Sequence, residues 1–169
     1  KSSFGRFPTR AEFMPDTIAI SRGVIVGTDG WNEKLTANKQ QFVAAWMQRP
    51  EFQSQYGGLT NAQFVDSLIA KLGVTVTFDE RNALVQSLSN GTSRATVLEQ
   101  LATNPAFSHK EVSPAFVLME YFGYLRRDPD AGGFNFWLDK LNQAGGNYQK
   151  AEMVRAFLES IEYRERFRF

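Results

Sequence analysis

The densest group of residues able to do chemistry is Asp128-Pro-Asp130-Ala-Gly132-Gly133, with Asp139 at the twelfth position counted from Asp128. Carboxylates at the first, third and twelfth places of a glycine-bearing loop imitate a calcium loop, where hard oxygens surround a hard cation. A third acidic ligand is missing, Asp139 lacks the reach of a bidentate Glu, and Trp137 implies a helix already running. The spacing therefore predicts a turn, in which Pro129 stops one helix and Asp130 caps the next. The single imidazole, His109, stands beside Lys110 and Glu111 in a segment read as loop. Without a Gly-x-Ser-x-Gly elbow it is expected to be a solvated residue rather than the base of a nucleophile. Gly27-Thr-Asp-Gly30 lacks the Lys and the strand–helix frame of a phosphate loop, and reads as a turn leading into a helix at Trp31. No catalytic, cofactor-binding or metal-binding residue is assigned, and no cofactor is expected.

Composition narrows the class. The 169 residues carry 19 basic and 18 acidic side chains, a formal net charge of +1. This balance gives no general electrostatic reason to bind nucleic acid or an anionic membrane. No apolar run approaches 18 residues, so direct membrane insertion is not expected. With no cysteine, disulfides, thiolate nucleophiles and Cys-based metal sites are excluded. Fifteen Phe against four Met predict a core of stiff rings.

These residues must be positioned by helices. Val43-Ala-Ala-Trp-Met-Gln-Arg-Pro-Glu-Phe52 aligns without gaps with Leu98-Glu-Gln-Leu-Ala-Thr-Asn-Pro-Ala-Phe107 and with Val154-Arg-Ala-Phe-Leu-Glu-Ser-Ile-Glu-Tyr163, at offsets of 55 and 56 residues. In each, apolar residues at helical spacing lead to an aromatic anchor. Pro50 and Pro105 end one helix and begin another. Upstream, Trp31-Asn-Glu-Lys-Leu35 resembles Trp137-Leu-Asp-Lys-Leu141, with Leu84-Val-Gln-Ser-Leu88 between them in the order of copies. The expected fold is all-α, built from helical repeats of about 55 residues. Repeat 1 covers 1–58, with only a helix tail left at 3–8. Repeat 2 covers 59–112 and repeat 3 covers 113–169. Thr60-Asn-Ala-Gln63 reads as a capping box, Thr77 or Asp79 and Thr92 or Ser93 as caps, and Asn90-Gly91 and Gly145-Gly146-Asn147 as left-handed helix ends. The β-branched, Gly-punctuated stretch from Asp16 to Gly27 is read as part of an irregular loop over 16–30, with a short extended piece at Val24-Ile-Val26. The aromatic residues Trp31, Trp46, Trp137, Phe136 and Phe157 fall at helical spacing and are assigned to the core. Glu159, Glu162 and Glu165 with Arg155, Arg164, Arg166 and Arg168 form a mixed-charge tail, read as a solvated helix face.

The residues Arg126 or Arg127, Pro129, Asp130, Gly133, Phe136 and Trp137, followed by Phe157, Ser160, Glu162 and Tyr163, resemble a bacterial domain family of unknown function. Its pattern is Arg-x-Pro-Asp-x-x-Gly-x-x-Tyr/Phe-Trp, then Phe-x-x-Ser-x-Glu-Phe/Tyr. The chain, including Gly23-Val-Ile-Val-Gly-Thr-Asp-Gly-Trp31, is similar to the C-terminal part of such proteins in acidobacteria, and distantly to the phycobilisome linker domain. Periodic aromatic faces, balanced charge and no convergent reactive groups predict a non-catalytic linker, assembly or surface element, and the resemblance implies that it belongs to an exported bacterial protein, extracellular, cell-surface or periplasmic. It would act through protein partners or by self-association into an oligomer or filament. Two other readings stand beside it: an accessory subunit of a membrane or photosynthetic complex, and a carbohydrate-active or hydrolytic module. The last requires paired carboxylates across a cleft.

Overall fold

The computed structural model describes residues 1–167, so Arg168 of the charged tail lies outside the described residues. Every regular element among the described residues is helical, in agreement with the 3.6-residue apolar period and the expected all-α class. The chain forms two compact units, Lys1–Ser108 and His109 onward.

The first unit holds α1 (Arg10–Ser21), α2 (Trp31–Met47), α3 (Pro50–Tyr56), α4 (Asn61–Leu72), α5 (Phe78–Ser89) and α6 (Arg94–Ala102). The start of α7 (Pro105–Glu120) closes it. Local chemistry starts these helices where expected. Thr60 and Thr77 each form a capping box, with Gln63 and Glu80, and Ser93 caps α6. Pro50 occupies the first turn of α3, where its missing N–H is no loss. The α4 face Phe64, Val65, Leu68 and Leu72 is almost wholly buried. It meets Phe52 and Tyr56 of α3 in a ring cluster, with the Phe52–Tyr56 centroids 4.6 Å apart and Tyr56 edge-on to Phe64 at 5.7 Å. The segments expected as repeats 1 and 2 thus share one core, whose largest side chains each contribute roughly 1.5–3 kcal/mol by burial.

The N-terminal reading needs correction. Residues 16–21 are helical, and the irregular loop is limited to 22–30. A capping box of Thr9 with Glu12 starts α1, and the helix runs through Pro15 and the β-branched run to Ser21. Propensity is overridden by tertiary contact. The Asn38 side-chain amide, from α2, donates to the Ile20 and Arg22 carbonyls at 2.9 Å each and secures the end of α1. No strand forms at residues 24–26, and residues 3–8 make a turn rather than a helix tail.

The second unit contains the remainder of α7, a π-helical turn (Tyr121–Leu125), α8 (Ala131–Gln143), α9 (Met153–Glu159) and α10 (Ile161–Arg166). Arg126 takes a left-handed conformation, φ 51°, and ends the π-turn. Gly145 and Gly146 are left-handed after α8, as the sequence requires. The core gathers Tyr121, Phe122, Leu125, Leu141, Met153 and Phe157. Tyr121 meets Phe157 edge-on at 5.0 Å, and Trp137 lies 5.4 Å from the same ring. Phe136, expected in the core, is instead 59% exposed, because it falls on the outer face of α8 beside the half-buried Trp137.

Candidate functional site

In the second unit the segment 128–133 is a helix start. The Asp130 carboxylate accepts from the Gly133 amide at 2.8 Å, and this bond holds its pKa below the usual value. Asp139 lies roughly 13 Å farther along the axis of α8, at 1.5 Å rise per residue. Asp130 and Asp139 therefore do not converge, and no cluster of three metal-ligating side chains occurs among the described residues. Arg127 fastens the motif from beside. Its Nε and Nη2 donate to both oxygens of Glu162 in α10, at 2.7 and 3.0 Å, and its guanidinium lies 5.1 Å from the Tyr121 ring. Glu162 is held below its ordinary pKa chiefly by Arg127. The Tyr121 hydroxyl occupies the space above Gly133 so closely that a Cβ there would collide with it. Ser160 caps α10 by accepting from the Tyr163 amide at 3.1 Å. The motif residues thus join the π-turn, the start of α8 and α10.

His109 and Lys110 are exposed, and both stand on α7 rather than in a loop. Pro105 begins a helix long enough to carry them. The His109 ring makes no hydrogen bond or ion pair among the described residues. Gly27 and Gly30 adopt left-handed φ of 89° and 74° in the turn before α2, as expected for a plain lead-in. In the charged tail, Arg155–Glu159 and Glu162–Arg166 are i,i+4 pairs. Glu162 does more than a solvated face requires, since it also binds Arg127.

Glu120 is a polar group that no motif in the sequence announces. It is 7% exposed, its Oε2 is buried without a partner, and burial pushes its pKa up to about 7. The one signal for it is Phe116-Val-Leu-Met-Glu-Tyr-Phe122, a lone acid amid apolar residues.

The first unit contains a cavity of about 340 Å³ between the N-terminal turn, α1, α2 and α6. That size lies within the range of small-ligand pockets. Its apolar lining includes Phe4, Phe13, Val43, Trp46 and Leu98. Trp46 lies 5.4 Å from Phe4 and has the Arg49 guanidinium 4.2 Å above its ring. Its indole N–H is buried with no partner. Two guanidinium clamps cross the rim. Arg6 donates to both oxygens of Glu12 at 2.8 and 2.9 Å and reaches Glu51 at 3.5 Å. Arg49 pairs with both oxygens of Asp16. The Arg6 contact holds the Glu12 carboxyl at about 2. Glu99 of α6 also lines the cavity and makes no side-chain hydrogen bond or ion pair among the described residues. Arg49 and Asp16 are 33 residues apart in the chain, and Leu98 comes from a more distant helix, so no local spacing announces the cavity.

A hydrolytic reading would call on the acids that line this cavity, Glu12, Asp16, Glu51 and Glu99. Glycoside hydrolysis takes one carboxyl held protonated by a raised pKa and a second held ionised. Arg6 and Arg49 clamp Glu12, Glu51 and Asp16, and Glu12 is driven strongly toward the anion. The carboxyl with a pKa raised to about 7, Glu120, belongs to the other unit.

No curated protein matches this chain, and no solved structure matches it. Residues 98–167, from the middle of α6 through α10, are similar to the family described as Domain of unknown function (DUF4214).

Proposed function

We propose that this chain is a non-catalytic helical module, built on repeated helical segments, that works through protein–protein contacts as a linker, assembly or surface element of an exported bacterial protein. One observation carries the reading. The polar groups of the conspicuous motif are bonded to one another and to the start of α8, while large apolar side chains remain exposed. In the second unit Tyr148, Val154 and Leu158 line one shallow depression, rimmed by Glu152, Arg155 and Glu159. An apolar centre with a charged rim is the anatomy of a protein interface. Phe136 and Ile161 add large exposed hydrophobes to the same unit.

Self-association is the form of contact most directly tested. Light scattering across micromolar concentrations is expected to show a concentration-dependent rise in mass. Leu158→Asp, at a position 39% exposed, should keep the helical circular dichroism and lower that mass. A monomer at every concentration would remove the assembly component of the proposal. Cross-linking in the native host then tests the linker component by asking whether any protein is held at residues 148–159.

A further inference from the structure

The charge and shape of the first unit's cavity point to a ligand. We infer that this cavity binds a small molecule with an apolar, aryl-alkyl body and one cationic nitrogen. Size is the first ground, since about 340 Å³ accommodates a compact ligand. The second is the disposition of charge. Among the lining residues are four acids, Glu12, Asp16, Glu51 and Glu99, and three bases, Lys1, Arg6 and Arg49. Arg6 is committed to Glu12 and Glu51, and Arg49 to Asp16. The cations also cover aromatic faces, Arg49 over Trp46, Arg6 over Phe4 and Lys1 over Phe7. An anion entering the cavity would have to displace those contacts. A cation meets the carboxylate of Glu99 with no bond to break, while its apolar part covers Val43, Leu98 and Phe13. The unpaired acid thus decides the sign of the ligand, and the apolar wall decides its body.

The test compares three probes of one shape and different charge, 4-phenylbutylamine, 4-phenylbutanol and 4-phenylbutyrate, by isothermal titration calorimetry on the whole chain. The amine is expected to bind about fivefold more tightly than the alcohol, the scale of one partly exposed ion pair, and the butyrate most weakly. Glu99→Gln removes a carboxylate that supports no other contact, so the fold should persist and the amine should fall to the level of the alcohol. Ala102→Phe, which fills the cavity from α6, should reduce all three together. Equal affinity of the three probes, tighter binding of the butyrate, no saturable heat with the native chain, or an unchanged amine affinity in Glu99→Gln would each overturn the inference. Because the readout lies in the first unit, its failure leaves the interface proposed in the second unit standing.

Discussion

The two units use buried polarity in opposite ways. In the first, guanidinium–carboxylate pairs stand at the rim of a cavity, where solvent shares the work of holding the charges, and the buried centre is a dry cluster of Phe52, Tyr56, Phe64 and their aliphatic neighbours. In the second, a carboxyl is buried without a complete set of partners at Glu120, next to a π-helical turn. The Tyr121, Arg127 and Glu162 group then connects that turn to α10. Acids conspicuous in a sequence and acids that are electrostatically unusual need not be the same. Asp128 and Asp130 draw attention and serve a turn, whereas Glu120, silent in any motif, is the carboxyl that burial pushes upward.

The largest effect should come from the dry centre of the first unit. Phe64→Ala removes a ring with no exposed area, and is expected to destabilise the unit by about 3–5 kcal/mol in urea denaturation. A loss below about 1 kcal/mol would mean that the cluster is not the centre of that unit's stability.

Next is the pH dependence of the second unit. Glu120 has a folded pKa of about 7 against an ordinary 4.5, so the folded unit holds this proton more tightly than the unfolded chain. Stability from this group is therefore greatest below pH 4.5 and is lost as pH rises through 7, by at most about 3 kcal/mol. Glu120→Gln should flatten that loss, measured as melting temperature between about pH 5 and 8. The first unit supplies the opposite sign. Glu12 is held at about 2, so its contribution is present above pH 4.5 and disappears as pH falls toward 2. If hydrogen exchange showed both units weakening on the same side of neutrality, the contrast between them would fail.

A pair of neighbouring glycines sharpens the packing argument. Gly133→Ala would place a Cβ against the Tyr121 hydroxyl and is expected to cost about 1–3 kcal/mol. Gly132→Ala meets only an ordinary contact at 3.4 Å from Asp130, and should gain up to about 1 kcal/mol of helix propensity. Tyr121→Phe in the Gly133→Ala background should recover part of the loss, since the colliding atom is the hydroxyl. Equal effects at 132 and 133 would show that the close approach is not what selects glycine.

The smallest expected effect is at the ion pair. Arg127→Gln should cost about 0.5–1 kcal/mol, because both partners are more than a third exposed and solvent already screens them. The loss should shrink at high salt. An effect several times larger would move the Arg127–Glu162 pair from a surface clasp to a main support of the unit.

Much of the helical framework is legible in the order of the residues. Thr60, Thr77 and Asp130 cap where side-chain chemistry says they should, Pro50 and Pro105 open helices, and Gly145-Gly146 close one. The departure at residues 16–21 has a specific cause. β-Branched residues and Pro15 argue against a helix locally, but the Asn38 amide reaches across from α2 to two carbonyls at its end. Phe136 departs from its expected place for a related reason. Its spacing is helical, but it lies about 100° around α8 from Trp137, and Trp137 is the half-buried member of the pair.

By itself, then, the sequence determined what depends on near neighbours: an all-α chain, most helix boundaries, the absence of cysteine chemistry, and the turn role of residues 128–133. Those follow from dihedral preferences and side-chain bonds that span three or four residues. Tertiary structure alone decided which charges are neutralised and which are left over. Arg49 meets Asp16 across 33 residues and Arg127 meets Glu162 across 35, while among the described residues Glu99 at the cavity and the buried Oε2 of Glu120 are left without partners. Charge pairing and burial are set by proximity in space, and one-dimensional spacing does not encode that proximity.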